Sequence, residues 1–305
     1  MPDDLDWNVA IYCANEEKRL EGCIGSVLAA LSGRRSLVTI ILNGSSDRSV
    51  DKAVAAARAG APIEIFKIAM GDKSNAINQF FYSLRSRAHA YGEVDGYAHV
   101  AETSFRAMEN RFAADPRAVA VTGVCTNGRT MKLATAETLK AGGRLHGQLH
   151  AFRPEFLDRL VARGIKVPLG TYWGDGLLGS MAAHDLDARS EPWDNRRIAG
   201  VAEATYEIPQ ASLLSIDDLR RHFRRKKRQM RGRIQTAAFK SIIYRGGYEA
   251  LPDDADVMIR DYLAENAPPP VSWPDRLFQR LAIGEIRQRP AYDPAALVPQ
   301  RIATA

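Results

Sequence analysis

Residues 37–47, Leu-Val-Thr-Ile-Ile-Leu-Asn-Gly-Ser-Ser-Asp, constrain this chain more than any other stretch. The run Leu37 to Leu42 is uncharged and β-branched or leucine throughout, which reads as a strand buried on both faces of a parallel sheet. Asn43-Gly44 then supplies turn chemistry. Ser45, Ser46 and Asp47 are N-cap residue types ahead of an alanine-rich helical run over 48–59. A strand that ends in a polar loop and feeds a helix places side chains and free backbone N–H groups at the carboxyl edge of a sheet. That is where α/β folds hold ligands.

The flanking chain repeats this pattern. Residues 8–13 read as a first strand, 14–17 as its loop, and Leu20, Cys23, Ile24, Val27, Leu28 and Leu31 as one face of a helix closed by Ser32-Gly33. Gly60 ends the next helix and 63–69 is a third strand, giving βαβαβ with right-handed crossovers and a sheet parallel at its start. Gly71-Asp72-Lys73-Ser74 opens a helix carrying Ala76, Ile77, Phe80, Phe81 and Leu84. Residues 92–100 form a short polar-ended strand region, Phe105, Met108 and Phe112 mark a helix, and 119–124 another strand.

Beyond Gly142 the alternation loosens. A strand is expected over 148–152, helices over 154–163 and 173–184, and a strand pair or bent strand over 200–208. Ser215 to about Lys240 reads as a long basic helix broken or weakened at Gly232. After Ala267 the prolines mark a tail with one short helix between Pro274 and Arg289.

Composition narrows the class. A chain of 305 residues with 46% hydrophobic and 26% charged content has room for one large or two small domains, and no disorder class fits. The acidic N-terminus lacks the regions of a signal peptide, and no run of about 18 apolar residues is free of charge, so a cytoplasmic protein is expected. Cys13, Cys23 and Cys125 show no CxxC spacing and read as buried thiols. The net charge of +6 is concentrated: nine Lys/Arg and no acid lie between Leu219 and Arg233, leaving 33 basic against 36 acidic residues elsewhere.

Three stretches together carry a resemblance. Residues 11–17 (IYCANEE), 40–47 (IILNGSSD) and 71–78 (GDKSNAIN) resemble, in order and separation, the first strand and Asn-Glu-Glu loop, the Gly-Ser-Thr-Asp turn and the Gly-Lys-x-x-Ala-Leu-Asn stretch of the family 2 glycosyltransferases. The resemblance covers about residues 8 to 235. It implies an α/β fold of GT-A type: a Rossmann-type nucleotide-binding sheet, parallel in its N-terminal half and mixed later, with helices on both faces. It also implies inverting transfer of a sugar from a nucleotide-diphosphate sugar to a saccharide, lipid-linked or small-molecule acceptor. The expected division is a transferase domain over 1–245, with a nucleotide-binding half at about 8–125 and an acceptor half at about 126–245. A partly irregular C-terminal extension follows over 246–305.

Site residues follow from the same resemblance. Asn15, Glu17 and Asn43 lie at the ends of adjacent strands and are expected to read a base edge, although the family often has a carboxylate in place of Asn43. Lys73, in a glycine-containing loop at a helix start, is placed to meet a phosphate. Asp47 reads as a plain N-cap. The family's Asp-x-Asp falls on Asp95-Gly96-Tyr97, so Tyr97 stands where the second carboxylate belongs. A neutral phenol is a poor ligand for Mg²⁺ or Mn²⁺. Three readings follow: Asp95 holds the metal with help from phosphate and water, Lys73 and the arginines replace the metal, or the chain is a catalytically silent nucleotide-sugar binding module.

An inverting transfer needs a base for the acceptor hydroxyl. Trp173-Gly174-Asp175-Gly176 resembles the family's Glu-Asp motif at a helix start, which makes Asp175 the expected base, with an N-cap as its plain structural reading. Arg153, at the end of the stretch GQLHAFR, and Trp173 are acceptor-contact candidates. His146 and His150 are four apart in what reads as a strand with no acidic third ligand nearby.

Residues 228–232, RQMRG, resemble a weakened Gln-x-x-Arg-Trp segment, so Arg228 and Arg231 are expected at the donor diphosphate or an acceptor phosphate. Two other readings of 219–233 stay open: a solvated helix face, or peripheral contact with an anionic membrane. Nucleic-acid binding is disfavoured, because aromatic residues do not interleave with the charges and the remaining surface is slightly acidic.

Overall fold

The computed structural model describes residues 4–58, 60–209 and 216–302, with side chains for all of these except 129–130 and 216–222. Leu5–Cys13 (β1), Leu20–Ala30 (α1), Ser36–Asn43 (β2), Ser49–Arg58 (α2) and Ile63–Ile68 (β3) build the expected βαβαβ start. β1 pairs parallel with β2, and β2 with β3. Lys73–Gln79 (α3) runs into a π-helical turn at 80–84, and Ala88–Asp95 (β4) returns parallel to β1 on its other side.

His99–Val100 (β5), Ser104–Ala114 (α4), Ala120–Cys125 (β6), Arg129–Ala141 (α5), Leu149–Phe152 (β7), Pro154–Ala162 (α6), Gly174–Ala183 (α7) and Ile198–Glu207 (β8) complete the second half. Here the sheet turns mixed: β7 is antiparallel to both β4 and β6, while β6 and β8 are parallel. The residues expected as a strand pair or bent strand are one strand, β8, whose pairing with β6 shifts register between Thr122 and Val124. The helix α5 has no sequence signature because, among its residues with described side chains, the buried positions are Thr135 and Thr138 rather than an apolar stripe. Among the described residues nine strands lie in the order β5-β8-β6-β7-β4-β1-β2-β3, ending in Gln300–Ile302 (β9).

Alternation along β1 shows how the sheet is buried on both sides. Ala10 and Tyr12 face a core that includes Ile77 and Phe80, Leu157 and Leu160, and Leu178 and Met181, beneath α3, α6 and α7. Trp7, Val9 and Ile11 face a second core with Ile24 and Val27 of α1, Ala53 of α2 and Phe105 and Met108 of α4. Cys13, Cys23 and Cys125 are free and buried.

Ile216–Gly246 (α8) is a single helix that passes through Gly232 without a break, contrary to expectation; Ser215 lies outside the described residues. Gly232 has a packing reason instead. A Cβ there would lie 2.9 Å from ring carbons of both Tyr172 and Trp173. Gln235 of the same helix takes the Tyr172 N–H and donates to the Gly170 carbonyl, each at 2.8 Å. α8 thus holds the loop that leads into α7. Gly232→Leu is expected to destabilise the protein by about 1–3 kcal/mol through overpacking, seen as a lower denaturation midpoint with an unchanged slope.

Ala255–Glu265 (α9) and Asp275–Gln288 (α10) follow, and only α10 was legible as a helix. The chain then returns to the carboxyl edge of the sheet. Tyr292 donates to Asp72 at 2.8 Å, the Asn75 amide to the Leu297 carbonyl at 2.8 Å, and the Met70 N–H to the Ala296 carbonyl at 2.9 Å. β9 then pairs antiparallel with β3. Among the described residues no helix is long and apolar enough to cross a membrane.

Candidate active site

β1, β2 and β4 run parallel and end at Cys13, Asn43 and Asp95, so their loops converge at one edge. Close approach there demands a glycine: Gly44 has φ of 69°, and a Cβ on it would sit 2.5 Å from the Gly71 Cα. The polar residues of these loops bond to one another. Asn15 accepts from the Ser46 N–H at 2.9 Å, Glu17 from the Arg48 N–H at 3.1 Å, and Asn43 from the Asp72 N–H at 2.9 Å.

Asp47 accepts from Ser49 N–H and from Glu17 N–H, each at 3.0 Å, as an N-cap that also ties down the first loop. Burial works against the Asp47 carboxylate, but these hydrogen bonds outweigh it and lower its pKa. Asn15 is exposed at the edge, whereas Asn43 is 6% exposed and serves as a staple between β2 and α3.

The centre of the edge is a charged cluster. Lys73 begins α3, whose N-cap is Asp72, and its Nζ lies 2.5 Å from Asp95 Oδ1. The Tyr97 hydroxyl donates to Asp95 Oδ2 at 2.8 Å, and Gln148 donates to that hydroxyl at 3.3 Å. Tyr206 in turn donates to Gln148 at 3.3 Å. From the other side, Asp175 accepts the Gly147 N–H at 3.1 Å. A Cβ on Gly147 would lie 3.2 Å from Asp175 Oδ2 and 3.4 Å from Lys73 Nζ, so the absence of a side chain leaves these two charges facing one small space.

The electrostatics of the cluster are consistent with this arrangement. Burial opposes the Lys73 ammonium, but Asp95, with Asp175 and Glu93 behind it, raises its pKa above the ordinary lysine value. Burial, then the Asp95 charge, push the Tyr97 phenol well up, so it stays a hydrogen-bond donor. Beneath the cluster, Glu93 and His150 form a buried pair at 3.3 Å. His150 also contacts the His146 carbonyl at 3.1 Å, and the His146 ring contacts Thr138. Both histidines are buried.

Asp175 does not cap its own helix. Trp173 occupies the N-cap position of α7 with no side-chain cap bond, and the Asp175 carboxylate is turned to Gly147 instead. Trp173 is 39% exposed beside it. Arg228 lies over the Tyr172 ring at 5.6 Å, also near this loop.

Two expected site residues are not brought here. β7 runs antiparallel to β4, pairing Leu149 with Val94 and Phe152 with Tyr91, so Arg153 emerges at the opposite edge of the sheet. Its guanidinium donates to the carbonyls of Ala118 at 2.7 Å, Asp115 at 3.2 Å and Phe112. Arg231 is spent on Asp256, at 2.6 Å, with Arg289 on the same carboxylate at 3.3 Å. Gly147, Gln148 and Tyr206, which the sequence did not mark as site residues, are part of the cluster. The turn before a short strand was the available signal for the first two.

The expected metal ligand was Asp95. A hard divalent cation needs carboxylate oxygens free to coordinate it. Here one oxygen faces an ammonium and the other accepts from a phenol, and among the described residues no three His, Cys, Asp or Glu side chains gather into a metal-holding group. As arranged, these residues do not fit a bound Mg²⁺ or Mn²⁺.

The fold is of the GT-A type. No family model matches the chain, and no curated protein matches it. Among solved structures it is similar to the mannosyltransferase PcManGT from Pyrobaculum calidifontis in complex with GDP-Man and Mn²⁺, with a TM-score of 0.59 and 16% identity over 94% of this chain and 88% of that one. It is also similar to residues 1–349 of TarS from S. aureus, with a TM-score of 0.55 and 11% identity over 93% and 80%. A third is the glucosyl-3-phosphoglycerate synthase from Mycobacterium tuberculosis with Mn²⁺, UDP and glucosyl-3-phosphoglycerate, with a TM-score of 0.50 and 16% identity over 70% and 75%.

Proposed function

We propose that this protein is an inverting glycosyltransferase that moves a sugar from a nucleotide-diphosphate donor to an acceptor hydroxyl, with Asp175 as the base. The observation that carries the reading is the pairing of Asp175 and Lys73 across the side-chain-free Gly147. Chemically, the acceptor oxygen forms a bond to the anomeric carbon while the bond from that carbon to the diphosphate breaks. The electron pair leaves with the diphosphate, and the acceptor proton passes to Asp175. Lys73 and Arg228 meet the charge that develops on the leaving group. Asn15 and Glu17 sit at the base end of the same edge, and Trp173 at the acceptor mouth.

The solved neighbours from Pyrobaculum and Mycobacterium contain Mn²⁺. In this chain the cation beside Asp95 is the Lys73 ammonium, which supports a diphosphate site that works without a divalent metal. The acceptor class is a saccharide, a lipid-linked saccharide or a small molecule, and contact of 219–233 with an anionic membrane accords with the second of these.

Thermal melting with UDP, GDP, CDP and their sugars, each with Mn²⁺ or with EDTA, tests both parts. One nucleotide is expected to stabilise the protein, by about 2.7 kcal/mol at a hundredfold excess over its dissociation constant, equally in Mn²⁺ and EDTA. Stabilisation that needs Mn²⁺ would mean that Asp95 releases Lys73 to hold a metal. No response to any nucleotide would sink the transferase reading, and stabilisation by a donor sugar without its hydrolysis or transfer would favour the silent binding module.

A further inference from the structure

The helix α10 has a face that the fold does not use. Gln279, Ala282 and Ile286 are buried against the body of the protein, and Phe278 meets Phe223 of α8 with ring centroids 5.0 Å apart. On the far side Trp273, Leu277 and Leu281 follow one another at four-residue spacing, the first just before the helix, and so line up along one stripe. They are 80%, 60% and 41% exposed. Scattered exposed apolar residues are ordinary, but a contiguous stripe of large ones is not.

The exposed charges around this stripe are mainly basic. Arg276, Arg280 and Arg287 are exposed and fall on the same side of the helix. Both acids of α10 are paired to α8: Asp275 meets Lys226 at 3.1 Å, and Glu285, exposed one turn beyond Leu281, meets Lys227 at 3.0 Å. Phe223, 46% exposed, and the exposed Arg224 and Arg225 continue the surface onto α8. The outer face of α10 is therefore apolar and mainly cationic, and its one exposed acid, Glu285, is already paired with Lys227.

We propose that α10, with the part of α8 around Phe223, docks this protein onto the surface of an anionic lipid bilayer. A helix lying in the plane of a membrane interface needs this combination: a tryptophan at headgroup level, leucines that enter the acyl boundary, and arginines that meet lipid phosphates. The face carries three exposed arginines, and its one exposed acid is already paired with a lysine, which suits a sheet of negative headgroups better than the mixed-charge rim of a protein partner. The same α8 reaches the candidate active site through Arg228 and Gly232, so the docking face and the cleft share one helix. The inference stands independently of the transferase reading and extends the sequence expectation from 219–233 to a second element.

Co-sedimentation of the full chain with phosphatidylcholine vesicles, and with vesicles of phosphatidylcholine and phosphatidylglycerol, tests it. The protein is expected to pellet with the anionic vesicles only, less so as salt rises, and the double variant Leu277→Glu, Leu281→Glu to lose at least about tenfold in partitioning. Because both leucines are exposed, that variant should keep its melting temperature. The milder Arg276→Gln, Arg280→Gln pair should lose the preference for anionic over neutral vesicles.

Absence of pelleting with either vesicle, equal pelleting with both, or undiminished pelleting of the leucine variant would overturn the proposal. So would a concentration-dependent dimer that the leucine variant abolishes in the absence of vesicle binding, which would assign the face to a second copy of the chain. Nucleotide-induced stabilisation, measured on the same samples, reports separately on the transferase site.

Discussion

Asp175→Asn is expected to lower sugar transfer by about 10²–10⁴-fold, the range that a positioned general base contributes, while nucleotide-induced stabilisation persists. The substitution is conservative where it matters structurally. An amide oxygen can still accept the Gly147 N–H that Asp175 now takes at 3.1 Å, and α7 does not depend on Asp175 as a cap. What the amide cannot do is accept a proton from an acceptor hydroxyl. Turnover of the purified variant, set beside its melting temperature with and without nucleotide, separates the two roles. Transfer at the wild-type rate would place the base elsewhere.

Lys73→Met is expected to weaken nucleoside diphosphate binding by about 10–100-fold, equivalent to a charged hydrogen bond of roughly 1.5–3 kcal/mol, with little change for the nucleoside alone. Methionine keeps an apolar stem of similar length but removes the ammonium, which lies 5.7 Å from the Tyr12 ring centroid, beside Asp95. It also frees one Asp95 oxygen. Added Mn²⁺ is therefore expected to recover part of the lost diphosphate affinity in the variant while doing nothing for the wild type. Calorimetric titration of nucleoside and diphosphate into both proteins reads this directly. Equal losses for the two ligands would show that Lys73 shapes the base end rather than the diphosphate.

The first half of the fold was legible because its strands are buried on both faces and bounded by turn residues. Leu37–Leu42 can be little other than an interior strand, and Asn43-Gly44 must turn. From those two facts the carboxyl edge, and with it Lys73 and Asp95, follow. The second half was less legible for a physical reason: where strands reverse direction, sequence position no longer says which edge a residue reaches.

Arg153 shows this well. It closes a strand just as Asp95 does, but β7 is antiparallel, so it arrives at the far edge and is consumed by three carbonyls. Arg231 was misplaced for another reason. Its partner Asp256 belongs to α9, whose first turn follows Asp254, a capping residue that bonds the Asp256 N–H at 2.7 Å, and without that helix the arginine looked free. Gly147 is legible in the stretch GQLHAFR, but its role is not, because its contribution is an absence, the room left for two other side chains.

The pairing of β9 with β3 also sets a schedule. Arg301 meets Glu64 across a separation of 237 residues, so the edge of β3 is covered only after that much more chain has been made. At typical elongation rates of about 5–20 residues per second, β3 leaves the ribosome roughly 12–50 s before its edge partner. A bare, β-branched strand edge is a template for pairing with another chain during that interval. Nascent chains of this protein are thus most exposed to aggregation at β3, and slowing or truncating synthesis ahead of residue 300 should increase the insoluble fraction.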